Sequence, residues 1–323
     1  MNKKLFWLLT LLLLAAGTFA EAQQGKVYRV GVIHQGGPFY TVIDGLRDGL
    51  RKLGLDEGKH FVLQIRDMKG DLKAVEGAAK NLVQEKVNLL YTVASSVTWA
   101  AKGVTTDIPI VFCVGADPVG QGLVDSMARP GGRLTGVSYL VVELTAKRLE
   151  ILKEIVPKLR RVMIFYNPGN RASTDAAQSG REEAQRLGIK FVEVHVTSVE
   201  ELRNALQRLK TGEGDAYLYT ADAMVISQTQ LIIDSSMTKK LPTMFHEETL
   251  VAQGGLASYG LSYHEAGRMS AKYVQRILTG TNPKNLPVER LHKFHLVFNL
   301  RTAREIGLTI PPNVLARADK VIK

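Results

Sequence analysis

The residues best suited to chemistry lie in short polar loops that each follow an apolar run. Ala94-Ser95-Ser96 follows Leu89–Val93, and Gly115-Ala116-Asp117 follows Ile108–Val114. A helix is predicted to begin near Val97. Ser95 and Ser96 would cap it, and its free N–H groups and dipole would favour a carboxylate or similar anion. Helix capping alone would also account for these serines. Gly36 and Gly37 allow close approach of backbone, to a ligand or within a plain turn. Phe39 can stack on a ring or pack on its own helix, and Asp222 can receive an ammonium or cap a helix. Asp117 stands before Pro118, and Asn167 and Asn170 bracket Pro168-Gly169, so turn chemistry competes with ligand contact at all three. His246 and Glu247 follow another apolar strand and can meet a ligand or a facing lobe. Tyr139 and Tyr259 complete the candidate set, near points where the chain is expected to cross between lobes.

Covalent chemistry is poorly supported. Gly54 to Lys59 has too short a spacer for a Walker A loop and does not follow a strand. No G-x-S-x-G elbow occurs, and the seven histidines form no H-E-x-x-H. His292 and His295 are three apart near a strand, which places them on opposite faces. The one cysteine, Cys113, falls inside an apolar strand, which leaves no intrachain disulfide and no Cys cluster. No cofactor, metal or catalytic residue is expected. A hydrolase using Asp222, His246 or Glu247 is the enzymatic alternative.

These loops need a scaffold of buried strands. Continuous apolar strands belong to a parallel sheet covered on both faces, and ligands then sit off the carboxyl ends of the strands. Strands are predicted at Tyr28–Ile33, Phe61–Ile65, Leu89–Val93, Ile108–Val114 and Leu134–Tyr139. A second series follows at Arg161–Tyr166, Phe191–Val196, Ala216–Thr220 and Leu241–Phe245. Helices with apolar residues three and four apart lie between them, as at Ile43, Leu46, Leu50 and Leu53. The halves correspond at an offset of about 130 residues: Leu53-Gly54 with Leu187-Gly188, Tyr91-Thr92 with Tyr219-Thr220. The fold expected is α/β, two doubly wound parallel-sheet lobes joined by a multi-segment hinge with a ligand cleft between them. The tail, with strands at Gly255–Tyr259 and Phe294–Asn299, would return to complete both sheets. The boundaries are residues 27–140 plus about 262–288 for lobe 1 and 141–261 plus about 289–323 for lobe 2.

Residues 1–22 read as a signal peptide: Lys3 and Lys4, an apolar Leu5 to Ala16, then Ala20-Glu21-Ala22 as cleavage site, with cleavage after Ala20 the close alternative. The mature protein would be exported to the periplasm. The formal charge is +11, but the basic residues are dispersed and often lie beside acids, as in Arg47-Asp48 and Arg181-Glu182-Glu183. This reads as a solvated surface that steers anions, and no nucleic-acid partner is expected.

The sequence resembles the ABC-transporter substrate-binding proteins of the tryptophan/tyrosine-type group, with a type I periplasmic-binding-protein fold. Matching segments span nearly all of the mature chain and include ASSVTWAAK, TTDIPIVFCVGADPVGQGLV, ARPGGRLTGVS, RVMIFYNPGN and NLRTAREIGLTIPP. The resemblance implies an exported receptor, expected to be monomeric, that hands a small molecule to an inner-membrane permease with a cytoplasmic ATPase. A ligand-sensing module for a membrane signalling protein is the alternative. The chain departs from the family at its ligand loops. Many relatives have Thr-Pro-Ala where it has Ala94-Ser95-Ser96, and some amino-acid binders have Asp-Asn where it has Asp222-Ala223. Some relatives also carry Ser-Asp at His246-Glu247-Glu248. The ligand expected is therefore a small carboxylated molecule, of amino-acid or of aromatic or aliphatic acid type.

Overall fold

A computed structural model describes residues 27–139, 141–210 and 212–323; the expected signal peptide lies outside them. In chain order the first elements are β1 (Tyr28–His34), α1 (Tyr40–Lys52), β2 (Phe61–Asp67), α2 (Val75–Gln84), β3 (Leu89–Val93), α3 (Ser95–Lys102), β4 (Ile110–Val114) and β5 (Leu134–Ser138). The second series comprises α4 (Thr145–Ile155), β6 (Arg161–Tyr166), α5 (Arg171–Arg186), β7 (Lys190–His195), α6 (Val199–Arg208) and β8 (Ala216–Leu218). It continues with α7 (Ala223–Ser227), α8 (Thr229–Thr238), β9 (Thr243–Phe245), α9 (Glu248–Ala252) and β10 (Ala257–Gly260). The tail holds α10 (Tyr263–Leu278), β11 (Glu289–Arg290), β12 (His295–Asn299), α11 (Leu300–Glu305), α12 (Pro312–Leu315) and β13 (Lys320–Ile322).

The strands form two sheets, ordered β11-β5-β4-β3-β1-β2 and β13-β12-β10-β9-β8-β6-β7. Every pair in the first is parallel. Its centre, β3 to β5, is buried at every position, as the unbroken apolar runs require. The second sheet is parallel except where β12 lies antiparallel to β10. β12 enters after β11, from the first sheet, and so approaches in the opposite sense to strands fed by local helices.

The chain passes between the lobes three times: between β5 and α4, between β10 and α10, and between β11 and β12. Helix α4 packs on β8 and β9, whereas α10 returns to pack along α1 and over β4 and β5. Small residues bring α10 and α1 together: a Cβ at Gly49 would lie 2.6 Å from the carbonyl oxygen of Arg268. Tyr91 of β3 and Ser270 of α10 share a buried hydrogen bond of 2.7 Å, which fixes the returning helix on its sheet. No described helix is long and apolar enough to cross a membrane.

Candidate functional site

The carboxyl ends of the strands of both sheets face a narrow cavity of about 30 Å³. Its wall is aromatic and small: Phe39, Tyr139, Tyr219 and Tyr263, with alanines at 94, 116, 172, 221 and 223. The rings support one another. Phe39 stacks on Tyr263 at 5.4 Å, and Tyr139 meets the edge of the same ring at 5.4 Å. Contacts of this kind contribute about 0.5–1.5 kcal/mol each beyond the area they bury.

On the first lobe the wall is the turn into α3. Ala94 has φ 86° and ψ 147°, a conformation that costs a non-glycine residue roughly 1–3 kcal/mol. Surrounding bonds hold it there: its N–H donates to Cys113 O at 2.9 Å, and its carbonyl accepts from both N–H and Oγ1 of Thr98. The turn presents the start of α3, with Ser95 and Ser96, to the cavity. The serines do not cap the helix as expected. They are its first two residues and Ala94 is the N-cap, without any side-chain bond. The N–H groups of this first turn therefore have no helical acceptor.

Seven of the sequence candidates line the cavity: Phe39, Ala94, Ser95, Ser96, Gly115, Tyr139 and Asn170. The other eight are placed elsewhere. Gly36 and Gly37 allow close approach of other protein groups and do not line the cavity. A Cβ on Gly37 would lie 2.8 Å from the Ser227 carbonyl oxygen of the opposite lobe, and one on Gly36 would meet Asp67. Asp117 accepts from the N–H groups of Val119 and Gly120 and pairs with Arg290 at 3.3 Å. Asn167 caps its own turn by accepting from Gly169 N–H. Asp222 is buried, with Oδ1 accepting from Met224 and Val225 N–H and Oδ2 from Asn167 N–H and Asn170 Nδ2. It caps α7 and ties two loops together. Burial raises its pKa, and those hydrogen bonds work against the rise.

His246, Glu247 and Tyr259 lie behind the wall. His246 stacks on Tyr219 at 3.9 Å and shares a 2.5 Å hydrogen bond with the Tyr263 hydroxyl. Burial holds its pKa well below the usual histidine range, so the ring is neutral. Glu247 caps α9 by accepting from Thr249 N–H at 2.7 Å, and burial pushes its pKa up to about 7. The carbonyl of Tyr259 accepts from Arg148 Nε at 2.8 Å.

Tyr219, Tyr263, Val141 and the alanines at 116, 172, 221 and 223 were not among the sequence candidates. Tyr219 had a signal in the repeated Tyr-Thr dipeptide at two strand ends, and Tyr263 lies where a crossing was expected. Arg148 was also missed, because mid-helix it reads as a surface residue. It is fully buried and donates from Nε to Tyr259 O and from Nη1 to Val141 O, across two of the three crossings. Its Nη2 has no partner among the described residues. Burial lowers its pKa to about 10, which leaves it cationic at neutral pH.

The lobes touch at the rim. Gly37 and Gly70 abut Ser227 of α7, and Gln121 Nε2 donates to Asp175 Oδ2 of α5 at 3.0 Å. This is a closed cleft.

The family of ABC transporter substrate binding proteins matches residues 29–322. The chain belongs to this family. Among the curated relatives, a tyrosine-binding protein of Clostridioides difficile is 26% identical over 265 residues, 82% of this chain and 76% of the relative. Among solved structures, a Streptococcus pneumoniae ABC domain in complex with L-Trp is 25% identical, with a TM-score of 0.81 over 92% of this chain and 100% of that one. A ligand-free, open substrate-binding protein of Clostridium difficile, equal in identity and in both coverages, reaches only 0.60. The lobes of this substrate-binding protein thus sit closer to the arrangement of the L-Trp complex than to that of the open form, in agreement with the contacts at its rim.

Proposed function

We propose that this protein is the exported, periplasmic solute receptor of an ABC importer, and that it closes around a small molecule carrying a carboxylate and an aromatic ring. One observation carries the reading: the strained Ala94 turn aims the uncapped start of α3 into a cavity walled by four aromatic rings. Helix N-termini favour anions by about 0.3–1 kcal/mol at exposed sites and up to about 2 when partly buried. The rings supply apolar and stacking area. The tyrosine-binding relative and the L-Trp complex support a ligand of this class. Closure would bring Asn170, Tyr219 and the alanines of the second lobe onto a solute first held by the α3 turn, and present a joint surface to a permease coupled to a cytoplasmic ATPase. The groups lining the cavity bind without reacting, so the protein acts as a receptor and not as an enzyme.

A thermal-shift panel tests this on the mature protein, with amino acids, aromatic and aliphatic carboxylates, sugars and nucleosides. A ligand at 100 times its dissociation constant stabilises the fold by about 2.7 kcal/mol, a rise of a few degrees in Tm. The expected result is a shift confined to aromatic carboxylates and reduced in Ser95→Ala/Ser96→Ala. A shift by neutral sugars alone would overturn the carboxylate reading.

A further inference from the structure

The wall of the cavity holds no charged side chain among the described residues. A zwitterionic amino acid brings an ammonium as well as a carboxylate, and no acid stands in this wall to receive it. A carboxylate offers about four acceptor sites, and those of Asp222 are taken by Met224, Val225, Asn167 and Asn170. These donors also oppose its charge locally. Glu247 lies behind the Tyr263 wall: one carboxylate oxygen caps α9, the other is buried without a hydrogen-bond partner among the described residues, and burial leaves the group half protonated near neutral pH, a weak counter-charge for an ammonium. Asp117 is engaged in its own turn and with Arg290. Glu143 is exposed at the first crossing, outside the lining, and partial desolvation raises its pKa. The buried cation has the opposite standing. Arg148 makes no ion pair among the described residues: it donates to two carbonyls, the neutral His246 and the Tyr219 and Tyr263 rings of the cavity wall lie near it, and the carboxylate of Glu143 acts on it only through space. A buried charge without a counter-ion is strongly unfavourable, and an anion arriving nearby in low dielectric relieves it.

We propose that the cleft selects arylalkyl carboxylate monoanions over the corresponding zwitterionic amino acids, with Arg148, behind the Tyr219 and Tyr263 rings, as the positive charge that the ligand balances. Arg148 is a positioning residue in this scheme: it sets the potential of the site without touching the solute. The inference rests on the receptor reading above and narrows its ligand class.

Calorimetric titration of the mature protein with three matched pairs tests it: L-phenylalanine and 3-phenylpropionate, L-tyrosine and 3-(4-hydroxyphenyl)propionate, L-tryptophan and indole-3-propionate. The acid of at least one pair should bind at least about tenfold tighter than its amino acid. The ratio should fall toward one in Arg148→Gln and be restored in Arg148→Lys, an outcome that a purely structural role would not give. Amino acids that bind as tightly as the acids, or tighter, would overturn the inference and leave the receptor reading standing. An unchanged ratio in Arg148→Gln would remove Arg148 from it. Failure of both members of every pair to bind would overturn the aromatic-carboxylate reading together with the inference. Should Arg148→Gln not fold, the wild-type ratios and Arg148→Lys decide.

Discussion

Ala94 concentrates the local physics of the site. Its φ of 86° is held by the β3–β4 ladder on one side and Thr98 on the other. Replacing it by glycine removes strain of roughly 1–3 kcal/mol at a cost of about 0.4–1 kcal/mol in the unfolded chain. Ala94→Gly should therefore raise the denaturation midpoint, by about 1 kcal/mol of stability, and Ala94→Val should lower it and impair binding; a less stable Ala94→Gly would contradict this. Glu247 gives a pH signature. Its carboxyl titrates near 7 in the fold against an ordinary 4.5, so the folded protein keeps a proton that the unfolded chain has released. That stabilisation is complete below the unfolded value and is lost as pH rises through 7, up to roughly 3 kcal/mol at about 1.4 kcal/mol per pH unit. In Glu247→Gln the difference from wild type should grow in favour of the variant from pH 4.5 to 7.5; parallel stability curves would contradict the assignment. At this scale the sequence was legible where a residue type has one main use, as with the glycines and turn formers. It was not legible for Asp222, whose capping and ligand roles use the same oxygens, nor for Arg148, whose burial depends on crossings far from it in the chain.

Elements were easier to read than residues. β3 and β6 have the bounds expected from their apolar runs, and α3 begins two residues before Val97. Two short strands, Glu289–Arg290 and Lys320–Ile322, were missed, because two or three residues of mixed polarity carry no period and pair only through tertiary context. The antiparallel entry of β12 was missed for the same reason: direction is set by where the chain comes from. The turn before α1 carries a prediction of its own. Gly37 has φ 57° and lies against Ser227 across the cleft. Gly37→Ala adds about 1–2 kcal/mol of left-handed strain and a methyl group where the lobes meet. It should weaken ligand binding by about tenfold or more, beyond what its loss of stability explains. Unchanged affinity would show that this contact does not belong to the bound state.

For the whole molecule, the two-lobe plan was visible in the repeat of strand ends about 130 residues apart. A hinge was expected with it, but that the lobes stand closed was not legible, because a hinge angle leaves no mark on composition or period. Trp99, partly exposed on α3 beside a crevice that also holds Gln121 and Arg171, reports on it. Binding of a non-indole solute should shift its emission, and the shift should be diminished in Gly37→Ala; emission that ignores saturating ligand would argue against closure at this rim. The most direct test of a receptor that closes on its solute is small-angle scattering of the mature protein, with and without the carboxylate that stabilises it most. The account predicts a larger radius of gyration without ligand and, at saturation, a profile that matches the closed lobes described here. An identical profile in both states, with binding shown independently in the same sample, would contradict it.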